Sequence, residues 1–135
     1  MKLLEQKIII RETHLDFFGH VNNAAYLTIF EDARWDLLAS RGFDLAHMTK
    51  TKTGPVILDC HIKFLKELRG REEITVTVEK MVNEKPHSKV SQLRQQMLNQ
   101  NGEVACEAIF TYGLFDLAKR RLIEATPDWR RVMEI

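Results

Sequence analysis

The order of two hydrophobic periods most constrains how this chain folds. Apolar residues recur at helical spacing over residues 26–38, with charged residues between them. Asn22 and Asn23 are typical residues for a helix start, and Gly42 is typical of a helix end. The pattern predicts one long helix over residues 23–41, and most of the chain after it has the two-residue period of strands.

The strand-like segments predict a largely antiparallel sheet. A first strand is expected over Lys7 to Thr13, before the helix, and four strands are expected after it. The first of these four begins at Pro55, the second covers residues 74–79 and the third covers residues 88–98. The fourth follows the Asn101-Gly102 hairpin turn. Short connections between consecutive strands imply antiparallel pairing. In the strand after Pro55, the residues expected to share one face are Val56, Leu58, Cys60, Ile62 and Phe64.

The remaining segments carry weaker signals. Residues 43–53 are expected to form a connecting loop, with room for a short helical turn. Pro127 is expected to end the last ordered stretch, followed by a short terminal helix from Trp129.

Length and composition fit a single domain over residues 1–135. Apolar residues make up 44% and charged residues 29%, which is ordinary for a globular protein. The formal net charge of +1 indicates no strong field for nucleic acid or an anionic membrane, so neither partner is predicted. The N-terminal apolar runs are too short for a signal peptide or a membrane span, and a cytoplasmic location is expected.

Metal and disulfide chemistry are not indicated. The five histidines and two cysteines lack metal-ligand spacing, so no metal and no cofactor are predicted. Cys60 and Cys106 lie in apolar strand segments and are expected to be buried, reduced thiols.

The segment with the clearest chemical potential is the one that leads into the helix. Asp16 precedes the expected helix start, where free backbone N–H groups polarise a carbonyl oxygen. A carboxylate beside them can attack that carbonyl or activate water against it, which is the chemistry of acyl transfer. Phe17 and Phe18 would lower the local dielectric. An aspartate at this spacing also serves as a cap or an ordinary loop residue.

The same segment resembles a known family. The stretch that carries the resemblance is Asp16-x-x-Gly19-His20-Val21-Asn22-Asn23-x-x-Tyr26, followed by Phe30-Glu31-x-Ala33-Arg34. It is similar to the signature of the 4-hydroxybenzoyl-CoA thioesterase-like hotdog proteins. The resemblance implies an α+β hotdog fold, in which a five-stranded antiparallel sheet wraps around one long helix. It also implies active sites at a dimer interface, hence a homodimer or homotetramer.

The resemblance also implies residue roles. Asp16 matches the catalytic carboxylate, and Asn23 matches the residue whose backbone N–H holds the thioester oxygen. The predicted substrate-binding residues are Phe18, His20, Asn22 and Tyr26, although a structural hydrogen bond for His20 and core packing for Tyr26 compete with that role. Lys89 is the candidate for the coenzyme A phosphates, with Lys63, Lys66 and Arg69 as alternatives.

The predicted function is hydrolysis of an acyl-CoA thioester, with Asp16 as nucleophile or general base. The run from His20 to Asn23 also resembles acyl-carrier-protein thioesterases, but those have an asparagine where this chain has Phe18. This departure argues against a mechanism centred on His20 and favours Asp16 as the catalytic residue. The alternatives are an acyl-carrier-protein thioesterase, a non-catalytic acyl-binding protein on the same scaffold and, less favoured, a hydratase or dehydratase.

Overall fold

A curved antiparallel sheet and one helix packed on its inner face make up most of the structure. The computed structural model describes residues 1–81, 85 and 87–135. The strands are β1 (Lys2–Ile9), β2 (Thr53–Phe64), β3 (Glu73–Lys80), β4 (Ser91–Leu98), β5 (Val104–Asp116) and β6 (Arg121–Ile123). The helices are α1 (Asn23–Ser40), α2 (Leu45–Thr51) and α3 (Pro127–Met133). Among the described residues, no helix has the length and apolar character needed to cross a membrane.

The sheet has the order β1-β3-β4-β5-β2, with the short strand β6 paired to β5. Every pairing is antiparallel, as predicted. The five predicted strands are therefore all present, and β6 adds a sixth that is only three residues long. Strands β1 and β2 lie at the two ends of this order, so β2 has a free edge in the single chain.

Helix α1 buries its apolar stripe against the inner face of the sheet. Phe30 lies at the centre of this contact and is fully buried, with its ring 6.0 Å from that of Phe110 on β5 in an edge-to-face arrangement. The other buried residues of α1 are Tyr26, Ile29, Ala33, Leu37 and Leu38. Facing them on β5 are the buried residues Cys106, Ala108, Phe110, Tyr112 and Leu114.

The boundaries of α1 agree with the predicted ones. The side chain of Asn22 accepts a hydrogen bond from the backbone N–H of Ala24 at 2.9 Å, which caps the first turn. Gly42 lies just beyond the helix with φ of +82°, a left-handed conformation that glycine adopts without strain. Local signals alone therefore define both ends of this helix.

The prediction for the first strand was wrong in its boundaries. Strand β1 begins at Lys2 and ends at Ile9, and residues 12–14 form a short 3₁₀ turn. Because β1 pairs only with β3, its outer side remains in solvent and carries Glu5 and Lys7. These charged residues hid the strand from a search for apolar alternation.

The predicted common face of β2 was right for Cys60, Ile62 and Phe64 but wrong for the residues before them. The register against β5 shifts at Leu58, so that Ile57 pairs with Tyr112 and Asp59 pairs with Thr111. This bulge inserts one residue, which brings Ile57, rather than Val56 or Leu58, onto the inner face with Cys60. Cys60 is exposed on this edge strand, which corrects the expectation that both thiols are buried.

Cys106 is buried as expected, and burial raises the pKa of its thiol to about 12.

The expectations for the other end of the sheet also need correction. Residues 45–51 form helix α2, capped by the Asp44 side chain, which accepts from the backbone N–H of His47 at 2.9 Å. The predicted short terminal helix is present, but it begins at Pro127 rather than at Trp129, because proline is favoured at the first helical position. Helix α3 buries Trp129, Val132 and Met133 and so closes this end of the core.

Two glycines, Gly113 on β5 and Gly54 on β2, test how closely neighbouring segments pack against these strands. A Cβ added to Gly113 would lie 2.8 Å from the Lys89 carbonyl oxygen and 2.8 Å from a Leu122 methyl group. Gly113→Ala should therefore lower the free energy of unfolding by about 1–3 kcal/mol. Gly54→Ala is the matched control, since its nearest neighbour is the flexible Met48 sulfur at 3.3 Å. Urea unfolding of both variants tests this, and equal stabilities would contradict it.

Candidate active site

A tight turn holds the side chain of Asp16 in one orientation. Its Oδ1 atom accepts hydrogen bonds from the backbone N–H groups of Phe18 at 2.8 Å and His20 at 3.1 Å. The Asp16 N–H donates to the His20 carbonyl oxygen at 2.7 Å, and Gly19 takes a φ of +80° to close the turn. No hydrogen bond from any described residue reaches Oδ2. One carboxylate oxygen is thus anchored and the other is available.

Main-chain contacts fix this turn at the N-terminal end of α1. Leu15 and Val21 form an antiparallel bridge, and the Asn22 N–H donates to the His14 carbonyl oxygen at 2.8 Å. The N–H of Val21 donates to the carbonyl oxygen of Leu68 at 2.9 Å, which ties the end of the turn to the segment after β2. Asp16 and the first turn of α1 therefore belong to one rigid unit.

One backbone N–H at the start of α1 has no partner in the described part of the chain. The Ala24 N–H bonds the Asn22 side chain, and those of Ala25 and Tyr26 bond the Asn22 carbonyl oxygen. The N–H of Asn23 makes no such bond. It is the type of donor that can meet an external oxygen, and the helix dipole adds positive potential there.

His20 belongs to a small charged cluster beside the turn. Its Nε2 atom lies 3.4 Å from a carboxylate oxygen of Glu67, which is also 3.3 Å from Nη2 of Arg69. His20 and Arg69 are further joined by an antiparallel bridge. These contacts give His20 a structural partner and leave its ring only partly exposed.

Tyr26 lies in the core one turn into α1. Its ring packs edge-to-face on Phe64 with centroids 4.9 Å apart, and the residue is buried. Burial, followed by the negative charges of Cys106 and Asp16, raises the pKa of its hydroxyl to about 12. The contribution of Asp16 to this shift agrees with a carboxylate that lies near the first turn of the helix.

The two phenylalanines after Asp16 do not shield it within a single chain. Phe17 is 97% exposed and Phe18 79% exposed, and their rings contact each other edge-to-face at 5.7 Å. The low dielectric expected from them is therefore absent unless another molecule covers this turn.

Lys89 lies at the opposite end of the sheet from Asp16. Its carbonyl oxygen approaches Gly113, which pairs with Val56 near the start of β2. The Asp16 turn instead contacts the segment after the end of β2. Seven residues of β5 separate Gly113 from Cys106, a distance of about 20 Å along a strand. One chain therefore does not bring Lys89 to the turn, whereas the alternatives Lys66 and Arg69 are on the same side as Asp16.

Sequence inspection missed a cavity of about 200 Å³ between the second half of α1 and the sheet. Its apolar lining consists of Trp35, Leu37, Leu38, Met48, Pro55, Ile57, Leu93, Tyr112, Trp129 and Met133, and its charged lining of Glu31 and Arg34. The sequence contained one signal for it, since Arg34 interrupts the apolar stripe of α1 between Ala33 and Leu37. In the described part of the chain, no group of three or more acidic, histidine or cysteine side chains is arranged to hold a metal ion.

Comparisons with known proteins identify the family to which the sequence is similar. The model of the thioesterase-like superfamily matches residues 10–133. The long-chain acyl-CoA thioesterase FadM of Escherichia coli is 27% identical over 131 residues, which cover 97% of each chain.

Solved structures show the same fold. A Staphylococcus aureus protein in complex with CoA superposes with a TM-score of 0.88 at 18% identity, covering 99% of this chain and 82% of that chain. The DHNA-CoA thioesterase of Staphylococcus aureus gives a TM-score of 0.80 at 23% identity, covering 96% and 87%. The predicted α+β hotdog fold is thereby confirmed.

Substitutions at Asn22 test how the start of α1 is built. Asn22→Ala removes the acceptor for the Ala24 N–H and should lower the free energy of unfolding by about 1 kcal/mol. Asn22→Asp keeps an acceptor in the same place and adds a charge that the helix dipole favours, so its stability should match or exceed that of the parent. Denaturant unfolding monitored by circular dichroism measures both, and an unchanged Asn22→Ala variant would refute the capping role.

Proposed function

The chain belongs to the thioesterase-like superfamily, and from that premise we propose that it hydrolyses acyl-CoA thioesters with Asp16 as the reacting carboxylate. The observation that carries the assignment is the state of Asp16: Oδ1 is held by two backbone N–H groups, and no described residue bonds Oδ2. A carboxylate fixed in this way loses little entropy when it reaches a reactive geometry.

Two routes start from this carboxylate. As a nucleophile, Oδ2 bonds to the thioester carbon, the C–S bond breaks, CoA leaves as thiolate, and water then cleaves the mixed anhydride to release the acid. As a general base, Asp16 takes a proton from water while the water oxygen bonds to the carbon, and after C–S cleavage the proton passes to the thiolate. Both routes yield a carboxylic acid and CoA and restore Asp16.

The N–H of Asn23 is the proposed partner of the developing oxyanion. Addition to the thioester carbon places negative charge on the carbonyl oxygen, and a preorganised donor stabilises that charge more than it stabilises the neutral substrate. Since this N–H has no partner among the described residues, it needs no rearrangement to bind the oxygen. A thiolate leaves readily, so the reaction does not require a strong acid beside the sulfur.

CoA as the thiol group is supported by the names of the relatives, since FadM acts on long-chain acyl-CoA and one structural neighbour contains CoA. The competing assignment is an acyl-carrier-protein thioesterase that uses the same carboxylate. Steady-state kinetics with the same acyl group on CoA and on the carrier protein separate the two, because the preferred carrier has the larger kcat/KM.

We further propose that the chain forms a homodimer through β2. This edge strand is 12 residues long, and Ile57, Leu58 and Phe64 on it are 44%, 47% and 49% exposed. An apolar, unpaired edge of this length favours association with another strand.

Antiparallel pairing of β2 with its copy about a two-fold axis places the end of one strand beside the start of the other. The Asp16 turn of one chain would then lie near the cavity and Lys89 of its partner chain, and Phe17 and Phe18 would be covered. The proposed role of Lys89 toward the CoA phosphates thus rests on the dimer. A tetramer would require a second interface.

Replacement of Asp16 tests the catalytic proposal. Asp16→Asn retains an oxygen that accepts from the N–H groups of Phe18 and His20, so the turn should stay folded while the charge is lost. We expect kcat to fall by about 10²- to 10⁴-fold, measured as release of free CoA thiol from an acyl-CoA. Asp32→Asn, on the exposed side of α1, is the control and should keep full activity. Only a residual turnover, the same for the parent and for Asp16→Asn, would instead point to a non-catalytic acyl-binding protein or to contaminating activity.

The edge strand gives an independent test of the dimer. Leu58→Lys puts a charge at the bulge on the free edge of β2, where it should disfavour strand pairing between chains with little effect on the core of one chain. Sedimentation velocity should show a dimer for the parent and a monomer for the variant. A parent that sediments as a monomer at all concentrations would rule out the proposed pairing.

A further inference from the structure

Arg34 brings a cation into the otherwise largely apolar cavity beneath the second half of α1. The residue lies on the sheet-facing side of the helix, between buried Ala33 and buried Leu37. Burial lowers the pKa of its guanidinium, and the nearby charge of Glu31 opposes that effect. A cation in such a position is costly unless acceptors surround it.

The structure accounts for one part of this guanidinium. Nη1 donates to Oε1 of Gln95 at 2.8 Å, and the guanidinium carbon lies 4.3 Å from the centre of the Phe110 ring. Gln95 is itself fully buried, and its Nε2 donates to the carbonyl oxygens of Phe30 at 3.1 Å and Thr77 at 3.4 Å. Arg34 is therefore held in position by a satisfied amide on one side and an aromatic face on the other.

The other donors of Arg34 are not used within the described part of the chain. An arginine carries five N–H donors in a planar fork. Nε and Nη2 make no hydrogen bond to a described residue. Because Arg34 lines the cavity, these donors are available to a molecule bound there. The Gln95 side-chain oxygen could be satisfied by any side chain of the right length with one donor. Its hydrogen bond therefore does not explain why an arginine, with its remaining donors, occupies this position.

We propose that this cavity takes the distal part of the acyl group and that Arg34 selects acyl chains that carry an oxygen, such as a hydroxyl or carboxylate, remote from the thioester. Apolar residues receive the methylene groups, and the unused face of Arg34 receives the oxygen. The proposal rests on the thioesterase function proposed above and adds the class of acyl group to it.

The position of Arg34 agrees with an oxygen that is far from the reacting carbon. Eleven residues of one helix separate Asn23 from Arg34, which is about 16 Å along the axis. In the two-fold dimer, the cavity instead adjoins the Asp16 turn of the other chain. Within one chain, the separation along α1 places the fork beside the distal carbons of a long acyl chain rather than at the thioester oxygen.

A matched pair of substrates tests the proposal: dodecanoyl-CoA and 12-hydroxydodecanoyl-CoA, which differ by a single terminal oxygen. The parent should show the larger kcat/KM for the hydroxylated ester. Arg34→Met combined with Gln95→Met removes both polar partners at similar volume, so the fold does not retain an unpaired buried amide. This double variant should lose the preference by about tenfold or more, measured as the ratio of the two kcat/KM values.

Controls separate failure of this inference from failure of the proposed function. Arg94→Met removes an arginine that pairs with Glu79 away from the cavity, and it should keep the parental ratio. A parental ratio near one, or the same ratio in the double variant, overturns the role of Arg34 even if both esters are hydrolysed. If neither ester is hydrolysed, the proposed function fails. In that case, calorimetry compares the affinities of the protein for free 12-hydroxydodecanoate and free dodecanoate, which tests the cavity independently of hydrolysis. Equal affinities would overturn the proposed selectivity of the cavity.

Discussion

The burial of one face of α1 against a curved antiparallel sheet is the constraint on which the rest of the structure depends. Phe30 and Phe110 meet at the centre of this interface, and both are almost completely buried. Because α1 has one apolar face, it packs on the sheet in a single orientation, and its two ends lie at opposite ends of the sheet. The N-terminal end holds the Asp16 turn, whereas the C-terminal half, together with α3, encloses the cavity.

Features that arise from neighbouring residues were predictable from the sequence. The caps of α1, the turn at Gly19 and the hairpin at Asn101-Gly102 each depend on a few adjacent side chains, and all appear as expected. The buried face of β3 also agrees with simple alternation, since Ile74, Val76 and Val78 are fully buried.

Features that depend on distant pairing were not predictable. The bulge at Leu58 exists because β2 must match β5, and nothing local in β2 indicates it. Likewise, the exposure of Cys60 results from the edge position of its strand. The cavity gathers residues from three helices and three strands, so no spacing within one segment indicates it. For the site, sequence could nominate Asp16 and Asn23 but could not show that one is anchored and the other unpaired.

The N–H of Asn23, which bonds no acceptor among the described residues, affects how such a protein changes over time. A helix that leaves this donor without an internal acceptor forgoes about 0.5–1.5 kcal/mol that a hydrogen bond commonly contributes. A substitution that supplied an acceptor from within the chain would raise the melting temperature, and under the proposed mechanism it would also occupy the place of the incoming oxygen. Under that mechanism, selection for thermal stability and selection for turnover have opposite effects on this helix start, and the observed geometry favours turnover.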